Sequence, residues 1–225
     1  MVTAGFFSCG QANKSTLETG EMETPGSEKN VQNNKDIYTN YKYTDSNGKS
    51  IIIQNGYPRG GLNYTDPTGK TYSYALFWTR IINETVNPLE LKIDFPVDLY
   101  EIPGLPGNNY KVLVPPDTFT IDKESLYDYG LIGLKSFLDN NILKPSLINR
   151  TVNPKESTGF YAIVLSHTTE GAPHFTLRTG LNLNGQNLFY KVSRYDNTPA
   201  HSLMDEKQIS CGSINLKNLT KSILH

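Results

Sequence analysis

Hydrophobic and polar positions alternate along much of this chain. In "PLELKIDFP" Leu89, Leu91, Ile93 and Phe95 point one way, and Glu90, Lys92 and Asp94 the other. "HFTLRTGLNL" repeats the period with Phe175, Leu177, Thr179, Leu181 and Leu183. A period of two is that of a strand with one wet face, as antiparallel sheets allow. "KTYSYALFWTRII" (70–82) and "GFYAIVLSH" (159–167) are apolar or aromatic on both parities and predict central strands covered on both faces. "YKVLV" and "ISCGSINL" are shorter strand candidates. Asn47-Gly48, Asp66-Pro67-Thr68-Gly69 and Asn184-Gly185 sit between such runs and predict hairpin turns.

One stretch has a helical period. "DKESLYDYGLIGLKSFLDNN" spaces Leu131, Leu134 and Leu138 at helical intervals, and Asp122 is a candidate N-cap. Gly130 and Gly133 reduce this to a short helix or two broken turns. The expected fold is all-β: an antiparallel, immunoglobulin-like β-sandwich over residues 36–221 with a short helical insertion. Within it "RIINETVNPLELKIDFP" reads as two paired strands joined through Asn87-Pro88.

Residues 10–35 are polar and aperiodic, and predict a disordered tether. Ahead of them stands "GFFSCG", with apolar Phe6 and Phe7, small Ser8, Cys9 and Gly10. This stretch resembles the lipobox of bacterial envelope lipoproteins, and the Asn-, Lys-, Tyr- and Ile-rich flavour is similar to those of the Bacteroidetes. The resemblance implies that residues 1–9 are the remnant of a signal segment and that Cys9 takes the lipid. It places the domain in the cell envelope, on the outer membrane or in the periplasm, touching membrane only through that anchor. The alternative is a cytoplasmic protein with an ordinary N-terminus.

Composition removes some classes. Of 225 residues, 21 are basic and 22 acidic, a net charge of −1 that gives no electrostatic footprint for nucleic acid. No run approaches the roughly 20 apolar residues of a membrane-spanning helix.

No motif in the sequence fixes an activity. His167, Glu170 and His174 share "SHTTEGAPHF", and with His201 or Asp205 could hold a metal or serve a hydrolase if the loop folded back. The simpler reading is a hairpin loop with solvated histidines, with no metal and no cofactor. Asp117, Asp122, Glu124 and Asp128 lack calcium-loop spacing and fit a helix start. Gly60-Gly61 and Gly69-Lys70-Thr71 do not compose a phosphate loop. Cys211 reads as a small buried residue before a nucleophile.

The 14 tyrosines are the more informative class. Tyr57, Tyr64, Tyr72, Tyr74 and Trp78 are interleaved with amides and charges, a pattern suited to stacking on a glycan or presenting an amphipathic surface to a protein. The expected role is therefore a non-enzymatic binding or assembly module for a protein or glycan partner. The alternatives are a secreted hydrolase or metal enzyme using His167 and His174, and a subunit that donates or accepts a strand at a sheet edge.

Overall fold

The computed structural model describes residues 27–29, 37–44 and 48–215. Asn47, Cys9 and most of 10–35 lie outside them. In chain order the strands are β1 (Ser27–Lys29), β2 (Ile37–Thr44), β3 (Ser50–Gly56), β4 (Arg59–Thr65), β5 (Thr71–Asn83), β6 (Leu89–Phe95), β7 (Tyr100–Glu101) and β8 (Asn109–Leu113). Two 3-10 turns, Ile121–Lys123 and Tyr127–Gly130, and a short helix, α1 (Leu134–Asn141), follow. Then come β9 (Ser146–Val152), β10 (Ser157–His167), β11 (Phe175–Asn184), β12 (Asn187–Asp196) and β13 (Leu203–Asn215). The all-β expectation with one short helix holds, and the paired strands are antiparallel throughout.

One sheet runs β1-β2-β3-β5-β10-β8-β7, with β4 following β3 along the same side of β5, and the second runs β11-β12-β13-β6-β9. They enclose one apolar core, with Ile53, Phe77, Ile81 and Ala162 from the first sheet against Ile93, Phe95, Leu181 and Val192 from the second. β6 keeps its predicted alternation, burying Leu89, Leu91, Ile93 and Phe95 and exposing the residues between. The two predicted central strands, β5 and β10, pair with each other over ten residues. Their other face carries Leu76, Trp78, Tyr161 and Ile163 into a second core beneath the helical insertion.

That insertion departs from the expected helix start. Asp122 lies in a 3-10 turn, and α1 begins only after Gly133. Asp128, Tyr129 and Gly130 take φ of 45°, 53° and 70° in succession. Three left-handed residues cannot belong to a right-handed helix, so none runs on from Asp122, and Gly133, at φ 72°, separates Leu131 from α1. Packing holds the detour in place. The Trp78 and Phe119 rings stack at 4.5 Å, and Tyr129 presents its edge to both.

The expected pairing across Asn87-Pro88 is also corrected, because β5 and β6 lie in different sheets. The chain changes layer at a buried polar corner. Asn83 donates through Nδ2 to the carbonyls of Asn87 and Val152, and its Oδ1 accepts from the Thr85 amide and hydroxyl. With Asn83 and Thr85 inaccessible to solvent, these bonds hold a tight turn out of the sheet where a hairpin would continue it.

One side of the two-sheet structure is joined by side chains. Asn55 of β3 accepts from the Leu181 amide (2.8 Å) and donates to the Leu181 carbonyl (3.0 Å), so its amide serves edge strand β11 as a neighbouring strand would. Farther along, the Tyr43 hydroxyl accepts from the Leu183 amide.

Candidate functional site

The hairpin β4–β5 carries most of the residues the sequence singled out, and the tight turn at its tip explains its regularity. Asp66 accepts through Oδ1 from the Thr68 and Lys70 amides and the Thr68 hydroxyl, while the Asp66 amide donates to the Lys70 carbonyl. Those bonds to the carboxylate hold its pKa below the usual range. From this tip the register pairs Tyr64 with Tyr72 and Leu62 with Tyr74.

The outer face of the hairpin therefore presents cross-strand rows. In the first row the Tyr64 and Tyr72 rings stack at 6.3 Å, and His167 of β10 lies 5.7 Å beyond Tyr72. Lys70 sits over the Tyr72 ring. Tyr64 donates to Asp139 of α1 (2.9 Å), which also pairs with Lys135, so this ring is fixed against the helix. Burial, and then the Asp139 bond, push the Tyr64 phenol well above its ordinary value. In the next row Leu62 is 51% exposed beside half-buried Tyr74. Tyr74 lies within electrostatic reach of Asp128 and Tyr127 of the insertion. Tyr127 is 79% exposed and Leu126 is 50% exposed, so the insertion frames the hairpin with apolar surface.

Arg59 ties the two together. Its guanidinium lies 4.1 Å over the Tyr129 ring and donates to the carbonyls of Leu126 and Glu124. The Tyr129 hydroxyl in turn donates to the Tyr57 carbonyl (2.6 Å). The left-handed segment is thus anchored to the start of β4 by charge, ring and main chain together.

The sequence-predicted residues do not form one surface. Tyr72 and Tyr74 are accessible on the outer face, Tyr64 is nearly covered, and Trp78 is inaccessible beneath the insertion. Tyr57 lies round the corner at the end of β3, with the Tyr38 ring 5.4 Å away and the Arg178 guanidinium 5.0 Å over its own ring. Burial excludes Trp78 from any docked ligand; a strand covered on both faces has no solvent side. Cys9 lies outside the described residues.

His167 Nδ1 lies 3.1 Å from the Thr71 carbonyl, and His201 occupies a separate turn with φ of 44°. Among the described residues no three His, Cys, Asp or Glu side chains gather where they could hold a metal ion. Cys211 is buried with its thiol 3.5 Å from the Leu188 carbonyl, and burial pushes that thiol up to about 12, far from thiolate chemistry at neutral pH.

A cleft of about 260 Å³ opens between the sheets on the inner side of the same hairpin. Ala75, Val164, Phe175 and Leu177 line it, with the hydroxyls of Ser73 and Ser166 beside them. Gly60 and Gly61 form its lip, where a bulge breaks the β4–β5 register. Sequence reasoning missed this cleft and the exposed Leu62 and Leu126. Its signal was the Gly60-Gly61 pair, which makes no phosphate loop but does mark a strand bulge. Neither a protein-family model nor a curated protein matches the chain, so its chemistry is argued from geometry.

Proposed function

We propose that this protein is a non-enzymatic, lipid-anchored binding or assembly module of the bacterial cell envelope, with an immunoglobulin-like β-sandwich that engages a protein partner. The observation that carries the reading is the accessible apolar and aromatic surface of Leu62 and Tyr74 on the β4–β5 hairpin and of Leu126 and Tyr127 on the insertion, with Lys70 and Asp128 beside it. Aromatic and aliphatic side chains gathered within a polar rim are the composition of a protein-binding patch. A glycan site would favour a flat, open ring, and the best-stacked pair here has one ring, Tyr64, almost wholly covered. The anchor rests on the lipobox resemblance around Cys9, and among the described residues the sugar-stacking and metal-enzyme alternatives have no comparable arrangement of side chains to support them.

The test is site-specific photocrosslinking in intact cells of the native host. A crosslinker at Tyr127 is expected to give one discrete protein adduct, and one at Val86, in the β5–β6 turn far from the hairpin tip, is expected to give none. The adduct should disappear with Cys9→Ser, which removes the anchor. Equal labelling from both positions, or an adduct indifferent to Cys9, contradicts the reading.

A further inference from the structure

β4 is an edge strand whose stretch beyond the Gly60–Gly61 bulge, Leu62 to Thr65, carries no charge and no proline. Natural edges are guarded by charge, proline or a covering element. From Gly60 to Asn63 every residue of β4 is exposed, and its sole charged residue, Arg59, is turned onto Tyr129 and the carbonyls of the insertion. Among the described residues β4 pairs only with β5. The direction of its unused groups follows from the ladder. The Asp66 amide donates to Lys70, so Tyr64 and Leu62 share that bonded parity, and the main-chain groups of Asn63 and Thr65 point away from β5.

A second edge faces the same space. β11 pairs with β12 on one side, and its other side is capped by Asn55 at Leu181 and by Tyr43 at Leu183. The same parity directs the main chain of Leu177 and Phe175 away from β12, and no described group caps them. Between these edges lies the 260 Å³ cleft floored by Ala75 and Val164. A Cβ placed on Gly61 would meet nothing within 4 Å, so the lip is open.

We propose that this slot accepts an extended, uncharged segment of the partner protein, paired to the outer edge of β4, with one large apolar side chain seated in the cleft. The inference rests on the reading of the domain as a protein-binding module, and it identifies what is bound. Each element of the slot restricts the guest. Main-chain donors and acceptors spaced along one edge are matched by a strand, and a helix spends its own internally. The cleft holds about one bulky side chain, and a helix about 10 Å across does not enter it. Among the described residues no carboxylate lines the cleft and the guanidinium of Arg59 is already used, so a charged guest would be desolvated without a counter-charge. β-Augmentation of this kind takes affinity from the main chain and selectivity from the pocket under alternate side chains.

The probe is a synthetic, end-blocked peptide that alternates threonine with valine and carries one central phenylalanine. It is titrated to millimolar concentration into the full-length chain, followed by NMR and amide exchange. The expected result is slowed exchange at Asn63 and Thr65 with shifted methyl signals from Ala75, Val164 and Leu177. N-methylation of alternate peptide amides, or replacing the phenylalanine with aspartate, should weaken binding at least tenfold. Asn63→Pro, which removes one outward donor at an edge that tolerates proline, should weaken it similarly while leaving the Trp78 fluorescence of the folded chain unchanged. Shifts confined to Tyr74 and Tyr127 would overturn the slot and leave the binding-module reading standing. Amides of Asn63 and Thr65 already protected without peptide would also overturn it: a concentration-independent effect means another part of the chain fills the edge, and a concentration-dependent one a second copy. No perturbation anywhere at millimolar peptide would overturn the slot, whereas loss of the Tyr127 crosslink would be needed to remove the binding reading.

Discussion

Replacing Asn55 with alanine removes a side chain that serves Leu181 as a neighbouring strand would. Its amide is inaccessible to solvent and makes four bonds: from the Leu181 amide (2.8 Å), to the Leu181 carbonyl (3.0 Å), from the Thr79 hydroxyl (2.8 Å) and to Thr39 Oγ1 (2.8 Å). The two threonine hydroxyls can rotate toward other partners. The amide and carbonyl of Leu181 are fixed by β11 and cannot. Each buried main-chain group left unpaired costs about 1–3 kcal/mol, so Asn55→Ala is expected to cost about 3–5 kcal/mol. With a urea m-value of about 2 kcal/mol/M, the midpoint should fall by about 2 M at unchanged slope. The assay reports from the core itself, because the single tryptophan, Trp78, is buried under the insertion. Asn55→Asp sharpens the test. One carboxylate oxygen can still accept from the Leu181 amide, but the other meets the Leu181 carbonyl. The folded state then prefers the protonated acid, which can donate there, so its pKa rises above the unfolded value. Protons are bound more tightly in the folded chain, and stability recovers as pH falls through that raised pKa. A midpoint within 0.5 M of wild type for Asn55→Ala, about 1 kcal/mol on the same m-value, would refute the role given to this amide.

Other outcomes follow from single residues. A Cβ at Gly56 would lie 2.1 Å from Trp78 Nε1, so Gly56→Ala is expected to cost about 3 kcal/mol in the same unfolding assay and to change the tryptophan emission of the native state. Arg59→Ala should cost about 1–2 kcal/mol and raise amide exchange at residues 121–130 more than in β10, because the guanidinium joins the left-handed segment to β4. Burial raises Cys211 from 9 to about 12, and Tyr43 and Tyr161 from 10 to about 12. The folded state therefore holds these protons more tightly than the unfolded one. The stability they contribute is intact below about pH 9 and is lost as pH rises toward 12, which a denaturant series read across that range will show. At pH 8 a disulfide thiol reagent should label Cys211 at the rate of unfolding rather than on mixing.

The strands and hairpins were legible because their information is local. The alternation of β6, the double-sided runs of β5 and β10, and the turns at Asp66-Gly69 and Asn184-Gly185 are set by neighbours a few residues apart. The features that define the candidate site join distant parts of the chain. Asn55 and Leu181 are separated by 126 residues, and nothing near "QNG" marks that asparagine as a surrogate strand. The leucine spacing in the insertion pointed to a short helix but not to its start, because the left-handed run at Asp128–Gly130 is imposed by tertiary contacts from Arg59, Tyr57 and Tyr161. Aromatic residues were singled out as the informative class, but composition alone could not separate Trp78, sealed inside, from Tyr127, left outside on a turn. The turn through Asn87-Pro88 looked like a hairpin for a related reason: the buried side chains of Asn83 and Thr85 decide that the chain leaves the sheet.

The central claim, an envelope-anchored binding module, is tested most directly at Cys9. The protein is expressed from its native locus, with the upstream DNA retained, and the mass of the mature N-terminus is measured from the membrane fraction. The account predicts that the mature chain begins at Cys9 and carries acyl chains. An unmodified chain beginning at Met1 in the soluble fraction would contradict it.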